Sequence, residues 1–177
     1  YIYFKIAGSE INVINYVNLD EYLYGVIPRE MPPSFHMEAL KAQSVGSRTY
    51  ALFNKNKHRK EGYDICDTTH CQVYGGMDGE HQRTNEAVDQ TSGLVINYNG
   101  NIIDAVYHSN SGGHTEDSKE VWGGYVPYLI GVEDKYSIGL PGSQWDFTMS
   151  REEIEKRLMY TGIKVGNILD MEVVEKS

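Results

Sequence analysis

The sequence predicts an α+β fold in a single domain, residues 1–177, and three observations carry that prediction. The stretch from Phe35 to about Asn56 contains no proline and reads as a long central helix. Alternating apolar and polar residues flank two turn signals, the pattern of β-hairpins. Near the end, Ser150-Arg151-Glu152-Glu153 is a capping box that opens a C-terminal helix. A chain of 177 residues suits one core of good size, and there is no internal repeat, low-complexity tract or linker.

The first hairpin is read over Tyr1–Ile6 and Ile11–Tyr16, with Ile2, Phe4 and Ile6 on one face and a turn at Ala7-Gly8-Ser9-Glu10. Asn18 caps a short helix, Leu19–Val26, with Glu21 at the capping-box position. A loop stiffened by Pro28, Pro32 and Pro33 follows, because each proline fixes its own φ and moves the preceding residue away from helical geometry. Ser34 is the expected cap of the long helix. Many small residues, among them Ala39, Ala42 and Gly46, suggest that a neighbour approaches this helix closely. Asn54–Tyr63 reads as a solvated, lysine-rich turn. A short helix over about Asn85–Thr91 stops at Gly93. Asn99-Gly100 joins a second hairpin, Leu94–Tyr98 with Asn101–His108, in which Ile103, Ala105, Tyr107 and Ser109 share a face. Ser109–Ser143 is rich in Gly and turn residues; it is either a functional surface or holds short strands around Tyr128–Val132. Ile154 and Leu158 pair on the last helix, Gly162 stops it, and Asp170–Val174 is a last strand.

Composition is that of an ordinary globular protein, 40% hydrophobic and 23% charged. A net charge of −9 argues against a nucleic-acid partner and against adsorption to anionic lipid. A glycan needs no basic protein, and fourteen tyrosines and two tryptophans suit contacts to sugar faces as well as an aromatic core. No apolar run is long enough to span a bilayer, and the chain begins at Tyr1 without a signal peptide.

The segment around Glu30 draws attention because the prolines hold a single carboxylate in place, as general acid–base chemistry requires. The same residues fit a proline-rich connection with an exposed, salt-bridged Glu. Lys41, Ser44 and Arg48 lie on one stripe of the following helix, at i, i+3 and i+7, with no acid among them. That stripe is either a solvated edge or a polar cleft wall.

Asn18–Val26, Glu30-Met31-Pro32, Glu38–Ala51, Cys71-Gln72-Val73-Tyr74-Gly75 and Ser111-Gly112-Gly113 through Val121-Trp122-Gly123 to Leu129 follow one another as in a known family. The sequence resembles the stage II sporulation protein D family and its amidase-enhancer relatives, over most of residues 18–134. The resemblance implies a lytic transglycosylase that cuts peptidoglycan glycan strands during spore engulfment. It also implies an extracytoplasmic location, a missing N-terminal membrane anchor and a cell-wall amidase as partner. A non-catalytic wall-binding module that stimulates an amidase is the alternative. Under the resemblance Glu30 is the catalytic residue, and Lys41, Arg48, Gln72, Tyr107 and Ser109 bind substrate. Tyr107 reads equally well as a core tyrosine, and Gln72 as a structural hydrogen-bonding residue.

Glycan cleavage normally uses two carboxyl groups. No second one stands at a motif position; Glu38, Asp64, Asp67 and Asp104 are the available acids. A lytic transglycosylase needs one. Its acid protonates the leaving glycosidic oxygen and then, as a base, takes the proton of the sugar's own C6 hydroxyl, which closes on C1 to leave a 1,6-anhydro end.

Cys66 and Cys71 are the only cysteines, and His70 lies between them. A disulfide, two free thiols and a zinc site of Cys66, His70 and Cys71 are the three readings. The imidazole adds a further type of zinc ligand, which favours the metal, with His36 as the remaining ligand. The glycan chemistry does not require it, and Cys66 lies outside the family's pattern.

Overall fold

The computed structural model describes residues 1–140 and 145–172. Among them the architecture is α+β, with five helices and two small antiparallel hairpins. The chain divides into two compact units, residues 1–107 and 108–177.

The first unit opens with the expected hairpin, β1 (Ile2–Ala7) on β2 (Glu10–Asn15). Its register pairs Phe4 with Val13 and Ile6 with Ile11. Gly8 takes a φ of +64° in the two-residue turn, where a side chain would be strained. Ile14 is buried, and two long bonds tie the hairpin down: Lys5 Nζ donates to the Glu61 carbonyl at 2.7 Å, and Asn15 Nδ2 to the Tyr74 hydroxyl at 3.2 Å.

Three helices follow: α1 (Leu19–Glu30), α2 (Met37–Phe53) and α3 (Gln82–Gln90). They pack against one another around Tyr22, Leu23, Val26 and Ile27 of α1, Ala51 of α2 and Val88 of α3. Leu23, Val26 and Ile27 are fully buried, each burial stabilising the fold by about 1.5–3 kcal/mol. Asn18 caps α1 as expected, accepting from the Asp20 N–H at 3.0 Å.

Four expectations about these helices are corrected. First, α1 does not end at Val26 but runs through Pro28 to Glu30. A proline in the last turn removes a single N–H, the one that would reach the Tyr24 carbonyl, so the helix tolerates it there. The carbonyl of Gly25, one residue on, also accepts from Gly75 N–H at 2.9 Å. Secondly, the cap of α2 is His36, not Ser34: its Nδ1 accepts from Glu38 N–H at 3.3 Å. Thirdly, the close approach lies not at Gly46 of α2 but at Gly25 of α1. A methyl group on Gly25 would lie 2.5 Å from the Tyr74 ring, whereas one on Gly46 would meet nothing. Fourthly, α3 begins at Gln82, capped by His81, three residues before the expected start.

Arg48 of α2 is 2% exposed and ties all three helices together. Its Nε donates to Asp20 of α1 at 2.9 Å, and Nη2 to the Val88 carbonyl of α3 at 3.1 Å. Nη1 reaches Thr91 Oγ1 at 3.4 Å and the Leu94 carbonyl at 3.3 Å. A buried guanidinium is tolerated because four of its five N–H donors have protein acceptors.

The second hairpin shrinks to β3 (Asn97–Tyr98) and β4 (Asn101–Ile102) around Asn99 and Gly100, both at positive φ. The strand expected to continue to His108 is irregular from Ile103 onward. Ala105 is nonetheless buried, and Tyr107 closes the unit.

In the second unit, a long loop folds back on itself. Thr115 N–H donates to the Val132 carbonyl at 2.8 Å, and Asp134 N–H to the Gly113 carbonyl at 2.9 Å. The short strands anticipated there amount to one isolated bridge, His114 with Glu133. A short helix, α4 (Ser118–Trp122), is interposed. The last helix, α5 (Arg151–Tyr160), starts at Ser150, whose hydroxyl accepts from Glu153 N–H at 3.2 Å, as the capping box requires. Of the strand expected over 170–174, residues 170–172 are irregular and 173–174 lie outside the described residues. Among the described residues no helix is long and apolar enough to cross a membrane.

Replacing Arg48 by Ala leaves Asp20 and two carbonyls without their partner. We expect Arg48→Ala to lower unfolding free energy by about 3–5 kcal/mol in urea titration. An unchanged midpoint would remove Arg48 from its role as the tie.

Candidate functional site

Glu30 is carried by the same face of α1 that makes the core. Leu19, Tyr22, Leu23, Val26, Ile27 and Glu30 recur at helical spacing. The stripe is apolar until its last member, so the helix turns a carboxylate towards the interior at the point where the core ends. Glu30 is half-buried there. Pro32 and Pro33 stop the helix immediately afterwards. The loop beyond is braced by Arg83 of α3, whose Nε donates to the Pro33 carbonyl at 2.9 Å and Nη2 to the Phe35 carbonyl at 3.0 Å. No motif in the sequence pointed to Arg83.

A hydrogen-bonded chain lies beside Glu30. Tyr22 Oη donates to Gln72 Oε1 at 3.2 Å. Gln72 Nε2 donates to the Ser47 carbonyl at 3.3 Å and to Tyr107 Oη at 3.1 Å. Gln43 Nε2 donates to Ser47 Oγ at 3.0 Å. Burial pushes the pKa of the Tyr107 hydroxyl above the ordinary tyrosine range. Hydrogen bonds from Gln72 and Ser47 oppose that rise, and the charge and hydrogen bonding of Glu30 add to it. Tyr22 is pushed up as well, first by burial and then by the neighbouring Tyr107, Cys71 and Glu30.

The structure therefore brings Glu30, Gln72 and Tyr107 together, and each of the other expected residues has its own surroundings. Gln72 is 1% exposed, and its amide faces Tyr22, Ser47 and Tyr107. Arg48 is locked among three helices and presents no donor to a cleft. Lys41 pairs with Glu38 at 2.8 Å on the surface, an interaction weak enough to leave the ammonium free to rearrange. Ser109 is an exposed residue of the second unit. Of the other acids, Glu38 is held by Lys41, and Asp104 accepts from Asn54 Nδ2 at 3.1 Å.

The segment before Gln72 forms a second cluster. Both cysteines are free thiols, so the disulfide reading does not hold. Cys66, His70 and Cys71 converge with His58, and one donor atom from each lies within 4.8 Å of all the others. His58 Nε2 and His70 Nδ1 are 3.3 Å apart. Cys66 Sγ is 3.6 Å from His70 Nδ1, and Cys71 Sγ is 3.5 Å from His58 Nε2 and 3.7 Å from His70 Nδ1. The edges of a tetrahedron with ordinary zinc–nitrogen and zinc–sulfur bonds are about 3.3 Å between nitrogens and about 3.6 Å from nitrogen to sulfur. The donor set fits an ion of that size.

Behind the cluster, His58 Nδ1 faces Glu61 at 3.9 Å and its ring stacks on Tyr63. A carboxylate behind an imidazole is the usual device for keeping the inner nitrogen free to bind. Burial alone would raise the Cys66 pKa, but hydrogen bonds from Thr68, His70 and Cys71 outweigh it and hold the thiol down at about 6. Burial, together with the neighbouring Cys66, pushes Cys71 up.

The fourth member is thus His58 and not His36, which caps α2. The turn 54–63, expected to be merely solvated, supplies it. The signal was present: a second His ahead of Cys66, completing a two-Cys, two-His set in one short stretch.

A model of the stage II sporulation protein family, SpoIID, matches residues 7–98. The chain is 46% identical over 135 residues to the amidase enhancer of Bacillus subtilis (strain 168), covering 76% of this chain and 18% of that protein. It is 29% identical over 164 residues to stage II sporulation protein D of the same strain, covering 84% of this chain and 47% of the relative. With stage II sporulation protein D of Bacillus amyloliquefaciens it shares 31% over 157 residues, covering 80% and 46%. The chain therefore spans from about a fifth to about half the length of these relatives. On the match over residues 7–98, the chain belongs to the stage II sporulation protein family.

Proposed function

We propose that this chain cuts the glycan strands of peptidoglycan as a lytic transglycosylase, with Glu30 as its single acid and base. The observation that carries the reading is the placement of Glu30. A lone carboxylate ends the buried stripe of a helix beside the Tyr107 hydroxyl, and the hydrogen-bonded residues Tyr22, Gln72 and Tyr107 include no second carboxylate. One carboxylate suffices when the substrate supplies the nucleophile. Protonated Glu30 gives its proton to the glycosidic oxygen as the C1–O bond breaks. The oxocarbenium-like centre at C1 is captured by the C6 hydroxyl of the same sugar, whose proton passes to Glu30. The product is a 1,6-anhydro end, and the acid returns to its starting state. Lys41, partly exposed and paired with Glu38, and the exposed Ser109 are each proposed to bind sugar hydroxyls.

The Cys66, His70, Cys71 and His58 set is proposed to hold zinc. Four protein ligands leave no open position for water, so the ion would be structural. When bound, it would fasten residues 58–71 and so hold Gln72, the next residue, against Tyr107.

A second reading is favoured by the 46% identity to a protein named amidase enhancer. On that reading the chain grips cell wall and stimulates a partner amidase without cleaving glycan. Either function would be exercised outside the cytoplasm at the cell envelope, in a protein carrying an N-terminal membrane anchor.

Peptide-free glycan strands separate the two readings. We expect anhydro-muramyl ends by mass spectrometry with the native chain and none with Glu30→Gln, while glycan binding and melting temperature hold. Ends released by the variant at the native rate would contradict the assignment. Elemental analysis should find one zinc per chain, lost in His58→Ala and Cys71→Ala and kept in His36→Ala. Retention by His58→Ala would remove that residue from the site.

A further inference from the structure

The Tyr22 hydroxyl has no place in the acid–base steps, yet it heads the chain that reaches Glu30. Its role follows from counting donors and acceptors. The Ser47 carbonyl can only accept, so the amide nitrogen of Gln72 must face it, at 3.3 Å. The second N–H of that nitrogen then goes to Tyr107 Oη, at 3.1 Å. The amide oxygen of Gln72 is left facing the Tyr22 hydroxyl, which donates to it at 3.2 Å. Ser47 Oγ accepts from Gln43 at 3.0 Å. With Gln72 donating to it, the Tyr107 oxygen keeps its own proton for an acceptor, and the Glu30 carboxylate is the neighbouring one.

We propose that Tyr22 is a positioning residue, whose hydroxyl fixes the Gln72 amide and thereby orients the Tyr107 hydroxyl beside Glu30. This rests on the reading of Glu30 as the acid and extends it. Without the Tyr22 hydroxyl, Gln72 Oε1 is buried without a partner. The amide then tilts, or flips its oxygen against the Ser47 carbonyl, and either movement loosens its bond to Tyr107.

Tyr22→Phe tests the proposal, with Tyr74→Phe as its control. The Tyr74 ring stacks on Tyr22 at 5.3 Å, but its hydroxyl bonds Asn15, outside this chain. Each variant is made with tyrosine labelled with carbon-13 at the hydroxyl-bearing carbon, and the Tyr107 resonance is identified through Tyr107→Phe. Tyr22→Phe is expected to lower kcat for release of anhydro ends roughly tenfold with KM unchanged. It should also move the Tyr107 resonance, and so should Glu30→Gln. Tyr74→Phe should change neither. Native kcat in Tyr22→Phe, or a Tyr107 resonance that stays in place, overturns the proposal. If Tyr22→Phe does not fold, Gln72→Glu replaces the amide that donates to Tyr107 and is read in the same way. Native cleavage by Glu30→Gln would instead strike the acid assignment, and the resonance alone would then decide whether Tyr22 orients the hydroxyl.

Discussion

The structure depends on one helical stripe that serves two purposes. Leu19, Tyr22, Leu23, Val26 and Ile27 bury α1 against α2 and α3, and the next position on that stripe is Glu30. Burial of the five apolar members sets the rotation of the helix about its axis. That rotation in turn sets where the carboxylate points. An acid on a loop would have to be held by its own contacts. An acid at the end of a packed helix takes its direction from the core itself.

The surroundings are fixed by ties that cross long stretches of sequence. Arg48 joins the three helices from inside. Arg83 braces the loop after Glu30 through two backbone carbonyls. The close passage of Gly25 past Tyr74 lets the 72–76 segment lie against α1, where Gly75 bonds the Gly25 carbonyl. The four-residue cluster around Cys66 stands at the start of that segment. It is well placed to hold Gln72, a residue that meets no solvent yet links Tyr22 to Tyr107. The polar groups near Glu30 are therefore positioned by backbone carbonyls and buried side chains, whose geometry is costly to change.

Much of this was legible in the sequence where the cause is local. The Asn18 and Ser150 caps, the Gly8-Ser9 and Asn99-Gly100 turns and the long proline-free helix follow from neighbouring residues. Of the residues chosen for the site, Gln72 and Tyr107 lie with Glu30. What could not be read was tertiary. Arg48 resembles a cleft cation until Asp20, Val88 and Leu94 are seen to enclose it. The prolines suggested a loop at Glu30, whereas packing of the stripe carries the helix through Pro28. His36 stands nearer to Glu30 in the chain, but it is His58, in a turn folded back by its own backbone bonds, that completes the cluster. The strand beyond Ile102 failed because alternation alone does not supply a partner strand, and none pairs with it among the described residues.

The central claim is that one carboxylate is enough because the sugar provides its own nucleophile. Cleavage of glycan strands in water enriched in oxygen-18 tests this most directly. The account predicts products that end in 1,6-anhydro sugars and carry no heavy oxygen at C1. A heavy oxygen at C1 of the new ends would mean that water attacks, and that a second group, not found beside Glu30, must activate it.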